Sequence, residues 1–317
     1  MKALTLNEAA DFLRSRDNFV ILTHRKPDGD TVGSAAALCL GLRSLGKTAF
    51  VLQNPQLTDN FAPFMEGLTC EAVPQDACIV TVDIAGLEMF GKGMEGLEPE
   101  ILFDHHDTNR GFAPRGIVRG EAAACCELIY DVLLALGVKL DKRTAEAIYL
   151  GTATDTGCFR YANTRANTLR VAAACIEAGA DTYPINRIFF ETVRLSRLKL
   201  DSYMAEHMEL LCGGQIALCP IPLDVEKSLG VHEDDMGNVC SFLRNIQGVQ
   251  LAVTFRTDEE GNTKLSVRGA PGWDASALCV PLGGGGHKGA AGATVKCGQA
   301  EALELAKTTL TQLGYCL

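Results

Sequence analysis

The 317-residue chain has one tryptophan, Trp273, and only 6% aromatic residues, which leaves little material for an extended base-stacking platform. Trp273 or Phe159 could stack a single base, but each reads first as a core residue. Positive charge is also short. Lys and Arg total 29 against 39 Asp and Glu, a net charge of −10. That argues against a surface that holds long duplex nucleic acid through its phosphates, and leaves room for a small phosphorylated substrate in a local basic pocket. No apolar run is long enough to span a bilayer, and Met1 to Asn18 lacks the layout of a signal peptide. Thirteen cysteines contain no CxxC pair, and the count is odd. Cys39, Cys78 and Cys175 lie in apolar runs, so the thiols are expected to be reduced core residues of a cytoplasmic protein. There is no internal repeat and no low-complexity tract.

What is present is a soluble globular composition, 47% hydrophobic and 21% charged, in a chain long enough for two domains. Thr5-Leu6-Asn7-Glu8 is spaced as a capping box that opens an amphipathic helix. The apolar run Phe19 to Leu22 predicts a buried strand, followed by the turn Thr23 to Ser34 and a helix over Ala35 to Leu45. His24, Asp28 and Asp30 fall on this turn. Thr48 to Gln53 predicts a second strand, Cys78 to Val82 a third ending on Asp83, and Ile101 to Phe103 a fourth ending on Asp104-His105-His106. Strands alternating with helical patterns (Glu121–Leu136, Lys142–Thr152, Thr164–Gly179) predict a doubly wound, mainly parallel sheet with helices on both faces. In such a sheet, turns at the strand ends line the ligand crevice.

The segment from Tyr183 to Leu211 reads as mostly helical. After Gly213-Gly214 the pattern changes to an α/β domain, with a strand over Gln215–Pro220 and an antiparallel pair over Val249–Arg256 and Thr263–Arg268. The expected organisation is a catalytic domain over 1–186, a helical connector over 187–212 and a smaller α/β substrate-binding domain over 213–317.

His24, Asp28, Asp30, Asp83, His105 and Asp155 supply four carboxylates and two imidazoles. That is too many donors for one ordinary divalent ion and suits two, with one carboxylate bridging. Imidazole with carboxylate favours Mn²⁺ ahead of Ca²⁺, with Mg²⁺, Co²⁺ and Zn²⁺ compatible. Two ions roughly 3.5–4 Å apart clamp both ends of a displacement at phosphorus. A second signal is the run Gly283-Gly284-Gly285-Gly286-His287-Lys288. Its backbone N–H groups, with His287 and the strand-end Arg268, are expected to form an anion cradle.

These motifs resemble the DHH phosphoesterases, in the branch with a DHHA1 domain, and within it the NrnA-like group of oligoribonucleases and pAp (3′-phosphoadenosine 5′-phosphate) phosphatases. His24 to Ser34, Val82-Asp83, Asp104-His105-His106 with Asn109, and Thr154-Asp155-Thr156-Gly157 match four ordered motifs. Ser266-Val267-Arg268 and Gly283 to Gly292 match the C-terminal signature, so the resemblance covers nearly the whole chain. It implies one metal on His24, Asp28 and Asp83, and another on Asp30, Asp83, His105 and Asp155. It implies that His106 faces the substrate phosphate as acid or electrostatic partner, and that Asp104 orients the histidines. It implies that Arg268, His287 and the N–H groups of Gly284, Gly285 and Gly286 hold a terminal phosphate across an interdomain cleft.

Two departures, Ala123-Ala124-Cys125-Cys126 in place of Ser and Thr, and Arg268-Gly269 in place of Arg-Ser, touch no ligand and bear on substrate preference. The implied activity is hydrolysis of short RNA, roughly two to five nucleotides, for which no long phosphate track is needed. Removal of the 3′-phosphate of pAp is an open second activity. Cleavage of linear or cyclic dinucleotides is a rival of the same chemistry, and a non-catalytic nucleotide-binding protein is a rival of another class. Monomer and homodimer both stay open.

Overall fold

The protein is described here by a computed structural model, over residues 1–232, 236 and 239–315. The chain divides into two compact units, Met1–Thr192 and Val193–Leu317.

The first unit runs β1 (Lys2–Ala3), α1 (Leu6–Ser15), β2 (Phe19–Leu22), α2 (Gly29–Ser44), β3 (Ala49–Leu52), α3 (Ala62–Met65), β4 (Thr69–Cys70) and β5 (Cys78–Val82). It continues with β6 (Ile101–Asp104), β7 (Arg115–Val118), α4 (Cys125–Ala135), α5 (Lys142–Asp155), α6 (Ala166–Glu177) and α7 (Thr182–Asn186). The capping box forms as expected at Thr5 and Glu8. The seven strands make one sheet in the order β1-β7-β6-β5-β2-β3-β4, and every pairing is parallel. The chain leaves β2 toward β3 and β4, then returns to the other side of β2 for β5, β6 and β7. The winding therefore reverses between β2 and β5, and a crevice opens at their carboxyl ends.

One face of the sheet, with Phe19, Ile21 and Val80, packs under α1, α2 and α4, and α5 lies against α2 and α4. Helix α2 is central and buried on nearly all sides, so its apolar and small residues show no single stripe. The other face differs from the expectation of helices on both sides. Val20, Leu22 and Ile79 are covered there largely by Ile84, Met89, Phe90, Met94 and Leu97. That segment between β5 and β6 holds a single 3₁₀ turn, Leu87–Met89, because its glycines and short polar stretches break helical periodicity.

The second unit runs α8 (Leu195–His207), β8 (Glu209–Leu211), β9 (Ile216–Ile221), α9 (Leu223–Leu229), α10 (Val239–Arg244), β10 (Leu251–Thr257) and β11 (Thr263–Gly269). It ends with α11 (Ala275–Cys279), β12 (Gly285–His287), β13 (Ala290–Val295) and α12 (Gln299–Gln312). Its six strands are ordered β12-β13-β11-β10-β9-β8, with β9 and β10 parallel and the rest antiparallel. Leu251, Val253, Leu265, Val267, Ala291 and Ala293 face a core that includes α11 and α12. On the opposite face α8 and α10 cover β9 and part of β10 through Ala217, Cys219 and Ala252. Over β11 and β13 that same face carries Lys264, Arg268, Ala290 and Thr294, none of them buried.

Trp273 stacks on Tyr315 with ring centroids 4.9 Å apart, and Phe159 packs beside Tyr149 at 5.8 Å. Both therefore serve packing. The twelve described cysteines are all free. Among the described residues no helix is long and apolar enough to cross a membrane.

Candidate metal centre

Three strands deliver donors to the switch-point crevice: β2 leads to His24, β5 to Asp83, and β6 to Asp104-His105-His106. The first motif is more helical than expected. Asp28 is the N-cap of α2, its carboxylate accepting the N–H groups of Asp30 at 3.0 Å and Thr31 at 3.1 Å. Asp30 therefore sits in the first turn of a fixed helix rather than on a loop. Asp155 is the last residue of α5.

The side chains converge on Asp83. His24 Nε2 lies 3.6 Å from both Asp28 Oδ1 and Asp83 Oδ2. His105 Nε2 lies 3.4 Å from Asp83 Oδ1 and 3.6 Å from Asp30 Oδ2 and Asp155 Oδ2. His106 Nδ1 is 3.7 Å from Asp83 Oδ1. Three overlapping groups could hold a divalent ion: His24, Asp28 and Asp83; Asp30, His105 and Asp155; and Asp83, His105 and His106.

Asp83 itself is only 2% exposed, and its Oδ1 has no hydrogen-bond partner. Its backbone is left-handed, with φ of 57°, an unfavourable conformation for a residue with a Cβ. A buried carboxylate oxygen without a hydrogen donor costs several kcal/mol unless a cation faces it (about 1–3, more for a charged group). Ligand atoms about 2.1 Å from one ion stand roughly 3–3.5 Å from one another. The spacings around Asp83, from 3.4 to 3.7 Å, lie at the upper edge of that range or just beyond it and are long for hydrogen bonds. The donor set therefore fits divalent metal.

The surrounding bonds aim the donors. His105 Nδ1 is 3.2 Å from the carbonyl of Ala122, which fixes a proton on Nδ1 and leaves the Nε2 lone pair toward the carboxylates. Asp30 accepts the N–H groups of Cys125 at 2.6 Å and Cys126 at 2.9 Å, the first turn of α4. The Cys125-Cys126 pair, expected to touch no ligand, therefore holds one, through backbone N–H groups that its residue type does not advertise. Asn54 Nδ2 holds the carbonyl of His24 at 2.9 Å. Asp104, fully buried, takes the His106 ring at 2.7 Å, the backbone N–H of His105 at 2.8 Å and Asn109 Nδ2 at 2.7 Å.

Electrostatics follow from this crowding. Burial opposes charge on His24, yet Asp28 and Asp83 outweigh it and push the imidazole up to about 10. His105 behaves alike: burial opposes, Asp83 and Asp30 prevail, and it rises to about 10. Burial, then Asp83 and Asp155, hold Asp30 well above the usual carboxylate range. Burial pushes Asp155 to about 6, with His105 opposing and Asp83 adding. The hydrogen bond to Asp104 raises His106. So many acids and imidazoles held together are the environment a cation relieves.

The close packing of α2, α4 and α5 depends on glycine. A Cβ on Gly151 would stand 2.2 Å from Cys126 Sγ and 2.7 Å from Asp30 Oδ1; one on Gly33 would stand 2.3 Å from the Ala147 carbonyl. A cavity of about 470 Å³ lined by Phe64, Lys142, Arg143 and Ile185 lies at the far end of α5, about 20 Å from Asp155 by helical rise, and holds none of the cluster.

In the second unit, strand register pairs Arg268 with Ala290 and Ala290 with His287. The three therefore share one row on one face of the sheet, with a small residue between the two larger ones. The glycine run is not an open loop. Gly285 and Gly286 belong to β12, and the N–H of Gly284 is bonded to the Cys279 carbonyl at 2.9 Å. Packing requires two of these glycines: a Cβ on Gly284 or Gly286 would meet β13 backbone within 2.6 Å.

A doubly wound α/β domain with a carboxylate–imidazole cluster at its switch point, joined to a mixed-sheet domain, defines a two-domain α/β protein with a metal-type centre. Residues 18–152 match the DHH family, N-terminal domain, and residues 217–313 match the DHHA1 domain. The chain belongs to the DHH family. It is 34% identical over 306 residues to the bifunctional oligoribonuclease and PAP phosphatase NrnA of Thermus thermophilus, covering 93% of this chain and 91% of that one. The Bacillus subtilis protein of the same name is 26% identical, covering 88% and 90%. Among solved structures, an exopolyphosphatase-related protein from Bacteroides fragilis superposes with a TM-score of 0.84 at 24% identity, covering 97% and 95%. Exonuclease RecJ bound to manganese shares the fold at a TM-score of 0.56 and 18% identity, covering 98% and 94%.

Proposed function

We propose that the protein is a two-metal phosphoesterase that hydrolyses short oligoribonucleotides and removes the 3′-phosphate of pAp. The observation that carries this reading is the convergence of His24, Asp28, Asp30, His105 and Asp155 around Asp83, whose buried Oδ1 has no hydrogen-bond partner. Relatives named as oligoribonuclease and PAP phosphatase, similar over nine-tenths of both chains, support the substrate class.

In this reading His24, Asp28 and Asp83 hold one ion, and Asp30, His105, Asp155 and Asp83 the other. Imidazole with carboxylate suits Mn²⁺, and RecJ, of the same fold, was solved bound to manganese. When bound, two divalent ions would make a water more acidic and would offset the negative charge at the phosphorus centre.

The chain's own residues do the rest. Nδ1 of His106 is committed to Asp104, so any proton His106 gives or takes is at Nε2. With its affinity for that proton raised by Asp104, His106 is suited to donate toward a phosphate oxygen or leaving group. Arg268 and His287, in one row of the second sheet with Ala290 between them, offer donors to a terminal phosphate. The Gly284 N–H is already bonded to the Cys279 carbonyl, so it adds no donor to theirs. The free cysteines support a reducing, cytoplasmic setting.

The test is hydrolysis of pAp, a 5-mer and a 24-mer RNA by the purified protein, with Mn²⁺ and with chelator. Metal-dependent turnover of pAp and the 5-mer is expected; a protein that binds these without turnover is a binding protein and the reading fails.

A further inference from the structure

We propose that Asn163 is a positioning residue for the Asp30–His105–Asp155 metal site, holding Asp155 in register with the turn that aims the other two ligands. The inference rests on the two-metal reading above.

The turn leading into α4 serves two of the ligands through its backbone. The carbonyl of Ala122 takes His105 Nδ1 at 3.2 Å, and the N–H groups of Cys125 and Cys126 take the Asp30 carboxylate at 2.6 and 2.9 Å. Between them, the carbonyl of Ala123 accepts from Asn163 Nδ2 at 3.1 Å. The same amide nitrogen also donates to the backbone carbonyl of Asp155, again at 3.1 Å. A planar NH₂ group has two hydrogens in a fixed fork, so this one side chain ties the turn to the third ligand. The three ligands come from α2, from the end of β6 and from the end of α5. Among the described residues, Asn163 is the side chain that bonds both the turn and the Asp155 backbone.

Two independent features mark the segment as more than a connection. Asn163 Oδ1 is buried without a hydrogen-bond partner, and so is the neighbouring Thr164 Oγ1. Only the donor half of the Asn163 amide is used. Between Asp155 and Asn163 the chain is left-handed at Gly157, Cys158 and Phe159, with φ of 56°, 57° and 63°. Consecutive left-handed residues are costly and persist where their surroundings over-determine them. Here the reversal brings Asn163 back beside Asp155, eight residues earlier.

The experiment is a Mn²⁺ titration of the full-length protein, followed by electron paramagnetic resonance and calorimetry, on wild type, Asn163→Leu and Thr164→Val. Leucine keeps the side-chain shape and removes both donors. Thr164→Val removes an adjacent buried oxygen that bonds nothing at the site. The wild type binds two ions. In Asn163→Leu one ion is weakened about 10–100-fold, the other stays within about twofold, and the spin-coupled two-ion signal is lost at subsaturating metal. Thr164→Val matches wild type.

Equal weakening of both ions, or none, overturns the assignment, as does a Thr164→Val protein that behaves like Asn163→Leu. If Asn163→Leu does not fold, Asn163→Ala is titrated in its place; if neither folds, Asn163 supports the fold and the proposal is wrong. A wild type that binds fewer than two ions defeats the two-metal reading itself, a result distinct from two tight ions that ignore Asn163.

Discussion

Nε2 of His105 stands 3.4 Å from the buried Oδ1 of Asp83, two donor atoms facing each other at the distance expected of ligands to one ion. In chelator-treated protein the arrangement must hold protons instead. His24 and His105, ordinarily near 6.5, rise to about 10 in the folded chain. A raised folded pKa contributes stability that is complete below 6.5 and is lost as pH climbs toward 10. Asp155, raised from 3.8 to about 6, has the same sign in a lower window, between about 4 and 6. Chelator-treated protein should therefore lose thermal stability steadily from pH 6.5 upward, and Mn²⁺ should flatten that slope. Parallel slopes with and without Mn²⁺ would falsify the assignment of both histidines as ligands.

The division between His106 and Asp83 is testable by pairing rate with metal content. His106→Ala should lower kcat by about 10²–10⁴-fold while two ions remain bound. Asp83→Ala should lose metal together with rate. Elemental analysis on both variants decides this, and equal metal loss would remove the distinction between the two roles.

Gly151 predicts a packing defect that reaches the metal. A methyl at this position meets Cys126 Sγ and the Asp30 carboxylate, so α2 and α5 must part or Asp30 must turn. Gly151→Ala should cost about 1–3 kcal/mol of stability and weaken one ion more than the other. Adding Cys126→Ala relieves the sulfur contact alone and should restore melting temperature more than metal affinity. Full recovery of both would show that Asp30 is not displaced.

The candidate metal ligands were legible because His24, Asp83 and His105 interrupt or end apolar runs, and β2, β5 and β6 lie close to where those runs predict them. Other elements left weaker traces. β7 is four residues containing an Arg and a Gly, and β1 is two residues, so neither has enough alternation to read. The start of α2 was readable in retrospect: Asp28 two and three residues before Asp30 and Thr31 is an N-cap pattern. The holders of Asp30 were not readable, since the backbone N–H groups of Cys125 and Cys126 carry no residue signature. Asn163 gave no signal beyond being a polar residue in a turn. The glycine run has a second reason to be glycine that the sequence does not show. Its glycines suggest N–H donors; the Gly284 N–H is taken by the Cys279 carbonyl, and close approach of β13 to β12 excludes side chains at Gly284 and Gly286.

Arg268 and His287 flank Ala290 in one row, which predicts a substrate-dependent defect. Arg268→Ala should lower kcat/KM for a short 5′-phosphorylated RNA by about 10-fold or more, the loss of one charge-assisted bond of roughly 1.5–3 kcal/mol. Hydrolysis of bis-(p-nitrophenyl) phosphate, which has no terminal phosphate to hold, should hardly change. Proportional loss of both activities would mean that Arg268 supports the fold.

The most direct measurement of the central claim is the rate of hydrolysis of a 5-mer against a 24-mer RNA at equal concentration, in Mn²⁺, with bound metal counted in the same sample. The account predicts two ions per chain, conversion of the 5-mer to mononucleotides, and a far slower reaction of the 24-mer. Equal rates on the two lengths, or two bound ions with no hydrolysis of either, would contradict it.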